Sequence, residues 1–155
     1  MGQSIRYLLD EFPEITVQDL KQDPFSEWYS DEFDTYEVDT ELINAIDSPE
    51  EYTYEVFLGT WCGDSRREFP RIAKIFNEMG VDINDVLIVT VDRDKISPNR
   101  EQEGKDIRYV PTLIVSKDNQ EIGRIVESPS SEIATLESDL FEITLGIPPI
   151  PNYTE

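Results

Sequence analysis

The side chain with the clearest chemistry in this 155-residue chain is Cys62, the single cysteine. It stands in the stretch Trp61-Cys62-Gly63-Asp64-Ser65-Arg66-Arg67-Glu68-Phe69-Pro70. The apolar run Val56-Phe57-Leu58 precedes it and stops at Gly59, while Phe69, Ile72, Ile75, Phe76 and Met79 follow at helical spacing. That order reads as strand, tight turn and helix, with the sulfur where the helix begins. A helix start offers unpaired backbone N–H groups and the positive end of the macrodipole, which favour a thiolate over a thiol. Gly63 lets backbone come close to the sulfur, and Ser65, one turn on, can donate a hydrogen bond to it. Arg66 and Arg67 add positive charge that Asp64 opposes. The reaction open to such a sulfur is attack on a disulfide to give a mixed disulfide. The plainer reading of a lone cysteine is a buried, inert small hydrophobe.

The flanking elements must hold that sulfur in place. Thr35 to Asp39 is expected as an edge strand, and Thr40 as the cap of a helix over 41–47 with Leu42, Ile43 and Ile46 inward. Glu51 to Leu58 reads as an inner strand. The helix after Cys62 should run to about Met79, stopped by Gly80 and kinked at Pro70. Val86 to Val91 reads as a buried central strand, and residues 96–106 as a short helix begun near Ser97-Pro98. Thr112 to Ser116, a turn at Lys117 to Gln120, and Glu121 to Glu127 form a hairpin. A last helix, capped by Ser130 or Ser131, turns Ile133, Leu136, Leu140 and Ile143 inward and ends at Gly146.

At three separate places the chain resembles the thioredoxin superfamily: Trp61-Cys62-Gly63, Pro70 eight residues after Cys62, and Ile107-Arg108-Tyr109-Val110-Pro111-Thr112. The resemblance spans roughly 35–146. It implies an α/β fold, a central mixed β-sheet flanked by helices on both faces. It also implies a cis bond before Pro111, a groove for an extended substrate at Trp61, Gly63, Asp64, Val110 and Pro111, and catalysis at Cys62 with Ser65. Two departures stand out. Ser65 replaces the second, resolving cysteine, and Val56 replaces the buried acid six residues before the first one; Glu55 is one residue off and belongs to the other face of the strand. The implied activity is therefore exchange through one thiol, with a protein disulfide or a low-molecular-weight thiol as partner and release by an outside thiol. The alternative is a redox-silent module that docks a protein at the Trp61, Cys62 and Pro111 groove. Cys-Gly-x-Ser also resembles monothiol glutaredoxins, some of which bridge an iron–sulfur cluster, but Trp61 and Pro70 fit the thioredoxin branch; no cofactor is expected.

Composition bounds the rest. Acids outnumber bases 34 to 13, for a net charge of −21 with no histidine, which repels nucleic acid and anionic membranes. The carboxylates near Asp92 lack metal-ligand spacing. No apolar run approaches about 20 residues, the N-terminus does not read as a signal peptide, and a single cysteine suits the cytoplasm. A monomer is expected. Residues 1–34 read as an acidic N-terminal extension packed on the core domain of 35–146. Within it Ile5, Leu8, Leu9 and Phe12 are spaced for a helix, Val17 and Leu20 for another turn, and Trp28, Tyr29 and Phe33 are aromatics set to pack inward or to form a lid. Residues 147–155 read as a stiff, Pro-rich exposed tail.

Overall fold

A computed structural model describes residue 21 and residues 26–153; the helix and turn expected before residue 21 lie outside them. The longest element, α3 (Gly63–Met79), forms because Phe69, Ile72, Ala73, Ile75 and Phe76 repeat at helical intervals, and all five are buried. Gly80 ends it in left-handed backbone, φ 79°, and the Val81 N–H reaches back to the Phe76 carbonyl at 2.9 Å. The helix continues through Pro70.

The apolar face of α3 packs on a four-stranded sheet of order β2-β1-β3-β4, made of β1 (Thr53–Leu58), β2 (Leu87–Thr90), β3 (Thr112–Lys117) and β4 (Gln120–Val126). β1 runs parallel to β2 and antiparallel to β3, and β3 pairs antiparallel with β4. Side-chain alternation gives the sheet two cores. Tyr54, Val56 and Leu58 meet residues of α1 (Ser26–Thr35), α2 (Thr40–Asn44), α3 and α4 (Leu136–Thr144) on one face. On the other, Phe57, Val89, Val91, Val110 and Ile114 form a smaller core against which Trp61, Cys62 and Ile107 pack.

Several local expectations are corrected. Residues 36–39 form no strand. Instead the buried Glu137 carboxylate of α4 accepts bonds from the Tyr36 hydroxyl at 2.7 Å and the Asp39 N–H at 2.9 Å, anchoring this segment to a helix. β2 is consequently the outer strand of the described sheet, and Leu87 is 45% exposed while Val89 and Val91 are buried. Residues 96–106 are turns, because side chains capture the backbone groups that a helix would use. The Ser97 hydroxyl accepts the Glu101 N–H at 2.8 Å, and Arg100 and Asp106 adopt φ of 59° and 52°. Asp39, not Thr40, caps α2. Thr135 caps α4 in a reciprocal box with Ser138, so Ser130 is left to bind Asp139, and Ile133 is 95% exposed outside the helix.

The aromatics of α1 pack inward: Tyr29 is buried, stacks on Phe33 at 5.9 Å and meets Phe69 at 6.1 Å. Burial pushes the Tyr29 phenol up to about 12. The C-terminal tail is only partly free. Ile150 is exposed, but Asn152 Nδ2 donates to Ser128 Oγ at 3.2 Å and Tyr153 packs between Tyr109 and the Arg108 guanidinium.

Candidate functional site

Cys62 is the N-cap residue of α3, in extended backbone, with Gly63 the first helical residue. Its N–H bonds the Gly59 carbonyl and its own carbonyl accepts the Arg66 N–H, both at 3.0 Å, so a tight turn fixes the sulfur between β1 and α3. The thiol is half-buried and donates to the Val110 carbonyl at 3.3 Å. The Val110–Pro111 peptide bond is cis, as the resemblance implies. Val110 and Pro111, both buried, thus stand directly across from the sulfur.

Trp61 walls the site from the side. Its Nε1–H donates to the Val91 carbonyl at 2.9 Å, and its ring lies so close over Gly59 that a Cβ there would come within 2.5 Å of it. This close approach explains a glycine at the end of β1. The Arg93 guanidinium and the Lys95 ammonium sit over the indole at 5.2 and 5.7 Å from its centroid. Gly63 is exposed, and a Cβ there would meet nothing within 4 Å beyond its own chain neighbours and helix backbone.

Ser65 departs from its expected place. It is fully buried, and its hydroxyl accepts the Gly59 N–H at 3.1 Å, tying the turn from within. The hydrogen bond of the sulfur goes to Val110 instead. Arg66 and Arg67 are also engaged. Arg66 Nε donates to the Thr60 carbonyl at 2.6 Å and its guanidinium lies over Trp28, which brings α1 up to the active turn. Arg67 binds Asp64 at 2.8 Å and the buried Glu68 at 2.7 Å. Val56, six residues before Cys62, is wholly buried among apolar groups. Glu55 points to the other face, where it pairs with Lys105.

Sequence reasoning missed three neighbours of the site: Arg93, Lys95 and Glu127. Glu127 follows β4 in left-handed backbone, φ 65°, with its N–H on the Pro111 carbonyl at 2.7 Å. Burial first, then the nearby Asp64 carboxylate, raises the pKa of Glu127, while Lys95 and Arg67 oppose the rise. A separate cleft of about 310 Å³, lined by Tyr29, Phe33, Ala73 and Ile83, contains none of these residues.

A cysteine at the mouth of a helix, facing a cis-proline loop on a mixed sheet, defines a thioredoxin-like protein. The Thioredoxin family model matches residues 33–139, and the chain belongs to that family. Among curated proteins no sequence matches significantly. Solved structures similar to the chain include a Pseudomonas aeruginosa protein of unknown function, 14% identical, covering 78% of this chain and 76% of the other at a TM-score of 0.47. Mitochondrial thioredoxin 3 of Saccharomyces cerevisiae in its oxidised form is 30% identical, covering 56% and 76% at a TM-score of 0.36. A mutant thioredoxin from Halobacterium salinarum is 18% identical, covering 74% and 88% at a TM-score of 0.40. No described helix is long and apolar enough to cross a membrane.

Proposed function

We propose that the protein carries out thiol–disulfide exchange through Cys62 alone. The Cys62 thiolate attacks one sulfur of a protein or small-molecule disulfide, and the other sulfur leaves as a thiolate. An external thiol, either of low molecular weight or on another protein, then attacks the mixed disulfide and frees Cys62. Trp61, Gly63, Asp64, Val110 and Pro111 line the groove that receives the substrate backbone, an extended segment pairing with the Val110 edge. Ser65 supports the catalytic turn through its bond to Gly59. The observation that carries this reading is the half-buried sulfur, reachable from solvent and 3.3 Å from the Val110 carbonyl, with a serine where a resolving cysteine would stand.

Trapping tests it. Wild-type protein incubated with cell extract without reductant should accumulate disulfide-linked adducts that dithiothreitol dissolves, and Cys62→Ser should form none. Equal capture by both proteins would support a second reading, a docking module without exchange. That reading draws on Val56, which puts an apolar, wholly buried side chain at the position six residues before the cysteine where the resemblance implies an acid.

A further inference from the structure

Glu68 is the buried acid of α3, 3% exposed and six residues past Cys62. A carboxylate kept from water must be compensated by cations, and Glu68 has two. Its Oε2 accepts from Arg67 Nε at 2.7 Å and lies 3.9 Å from Arg71 Nη1, while Oε1 has no hydrogen-bond partner among the described residues. Each arginine has a second acid. Arg67 Nη2 reaches Asp64 at 2.8 Å, and Arg71 Nε reaches Glu32 of α1 at 3.1 Å. One chain of charges, Glu32, Arg71, Glu68, Arg67 and Asp64, thus runs from α1 to a residue two positions from Cys62. Its outer pairs are open to water, with side chains 30% to 41% exposed, and such pairs hold their side chains loosely. The buried Glu68 is the fixed point between them. A second contact joins the same two helices. One turn before Glu32, Trp28 lies under the Arg66 guanidinium, 5.9 Å from its ring, and Arg66 Nε donates to the Thr60 carbonyl of the active turn at 2.6 Å. Tyr36 lies under Arg71 at 5.2 Å and donates to Glu137 of α4, which fixes the far side of the network. α1 lies mostly ahead of residue 33, where the match to the Thioredoxin model begins.

We propose that Glu68 is a positioning residue for an extended substrate, and that it makes the rim of the groove depend on the docking of α1. The inference rests on the reading of Cys62 as the exchange thiol and of Asp64 as part of its groove. Glu68 holds Arg67 across Asp64, so the Asp64 carboxylate meets a substrate backbone in one orientation and with its charge balanced. Without the Glu68 charge, Arg67 keeps only its exposed pair with Asp64, and the rim loosens. Without the Glu32 charge, Arg71 is released to close its 3.9 Å gap to Glu68 Oε2, where it competes with Arg67. Either change reaches Asp64 through Arg67. Neither touches the sulfur or the Val110 carbonyl, which is the part of the site that a small disulfide meets.

The test compares two disulfides in single turnover with the full chain. One is the disulfide of acetyl-Ala-Ala-Cys-Ala-Ala-amide, long enough to lie along the groove; the other is bis(2-hydroxyethyl) disulfide, which reaches little beyond the sulfur. The readout is the ratio of their second-order rate constants, because a change in the sulfur itself moves both alike. Glu68→Gln should lower the peptide-to-small ratio about threefold or more, through a higher half-saturating peptide concentration rather than a lower maximal rate. Glu32→Gln, a change at the surface, should lower the ratio about twofold and add nothing in the Glu68→Gln background. This surface variant keeps the test open should Glu68→Gln fold poorly. An unmoved ratio, equal slowing of both disulfides, or additive losses in the double variant would overturn the proposal. Wild-type protein that reacts with neither disulfide faster than free cysteine defeats exchange itself, while a reactive wild type whose ratio the variants leave unmoved defeats only the role of Glu68.

Discussion

Replacing Gly59 with alanine probes whether the Trp61 wall is as tightly set as the geometry requires. The added Cβ would stand 2.5 Å from Trp61 Cε2 and 2.7 Å from both Cζ2 and Nε1. Carbon–carbon contact is comfortable at about 3.5–4.0 Å, so the indole must retreat by roughly an ångström. That retreat breaks its 2.9 Å bond to the Val91 carbonyl, at a cost of about 1 kcal/mol. Forcing a ring out of a packed position adds about 1–3 kcal/mol of strain. Urea unfolding should therefore show Gly59→Ala less stable by about 2–4 kcal/mol. The three atoms nearest the new Cβ all belong to Trp61, so the penalty should shrink below about 1 kcal/mol when measured in a Trp61→Leu background, a coupling that a double-mutant cycle reads directly. A loss under about 0.5 kcal/mol, or the same loss in both backgrounds, would refute the claim that Gly59 is there for the indole.

Two further outcomes are expected. Asp139 is buried and accepts the Ser130 N–H and hydroxyl at 2.7 and 2.8 Å; burial, outweighing those bonds, raises its pKa above the ordinary 3.8. The folded chain thus keeps this proton after the unfolded chain has lost it, so stability falls as pH rises from about 4 through the folded value. Asp139→Asn should show a flatter profile over that window, measured as the difference in unfolding free energy between the two proteins, and parallel curves would contradict it. Ser65→Cys should weaken the turn by about 1 kcal/mol through loss of the bond to Gly59 while supplying a second sulfur one helical turn from Cys62. Mixed disulfides in the trapping experiment should then largely disappear in favour of an internal bond; undiminished adducts would show that position 65 cannot reach the sulfur.

How far the chain could be read follows from which forces are local. The span of α3, its stop at Gly80 and the placing of Cys62 at its start depend on apolar period and a left-handed cap, both written in neighbouring residues. The two-residue turn at Asp118 and Asn119, with φ of 53° and 65°, is equally local. The missing strand at 36–39 was not legible, because its fate is decided by Glu137 about a hundred residues away. The turns of 96–106 escaped because Ser97 and Asp92 spend their side chains on backbone N–H groups, which period-counting ignores. Glu127 was hidden by a single residue. Counting outward from the turn pairs Lys117 with Gln120 and Ser116 with Glu121, but a bulge then pairs Val115 with Gly123. That one-residue shift sets Thr112 against Val126, and so Glu127 beside Pro111, where an unbroken count would have put Val126.

The same local details fix the active turn from both sides. From within, the Val56 side chain is aliphatic and wholly buried, and the Ser65 hydroxyl is fully buried and accepts the Gly59 N–H. From without, the hairpin carries the cis-proline loop, and its bulge decides which residue stands against that loop. Without the bulge Val126 rather than Glu127 would lie beside Pro111, and the side chains of the last residues of β4 would face the opposite side of the sheet. The bulge, the left-handed Glu127 and the cis-proline loop therefore act together to hold the Val110 carbonyl 3.3 Å from the sulfur.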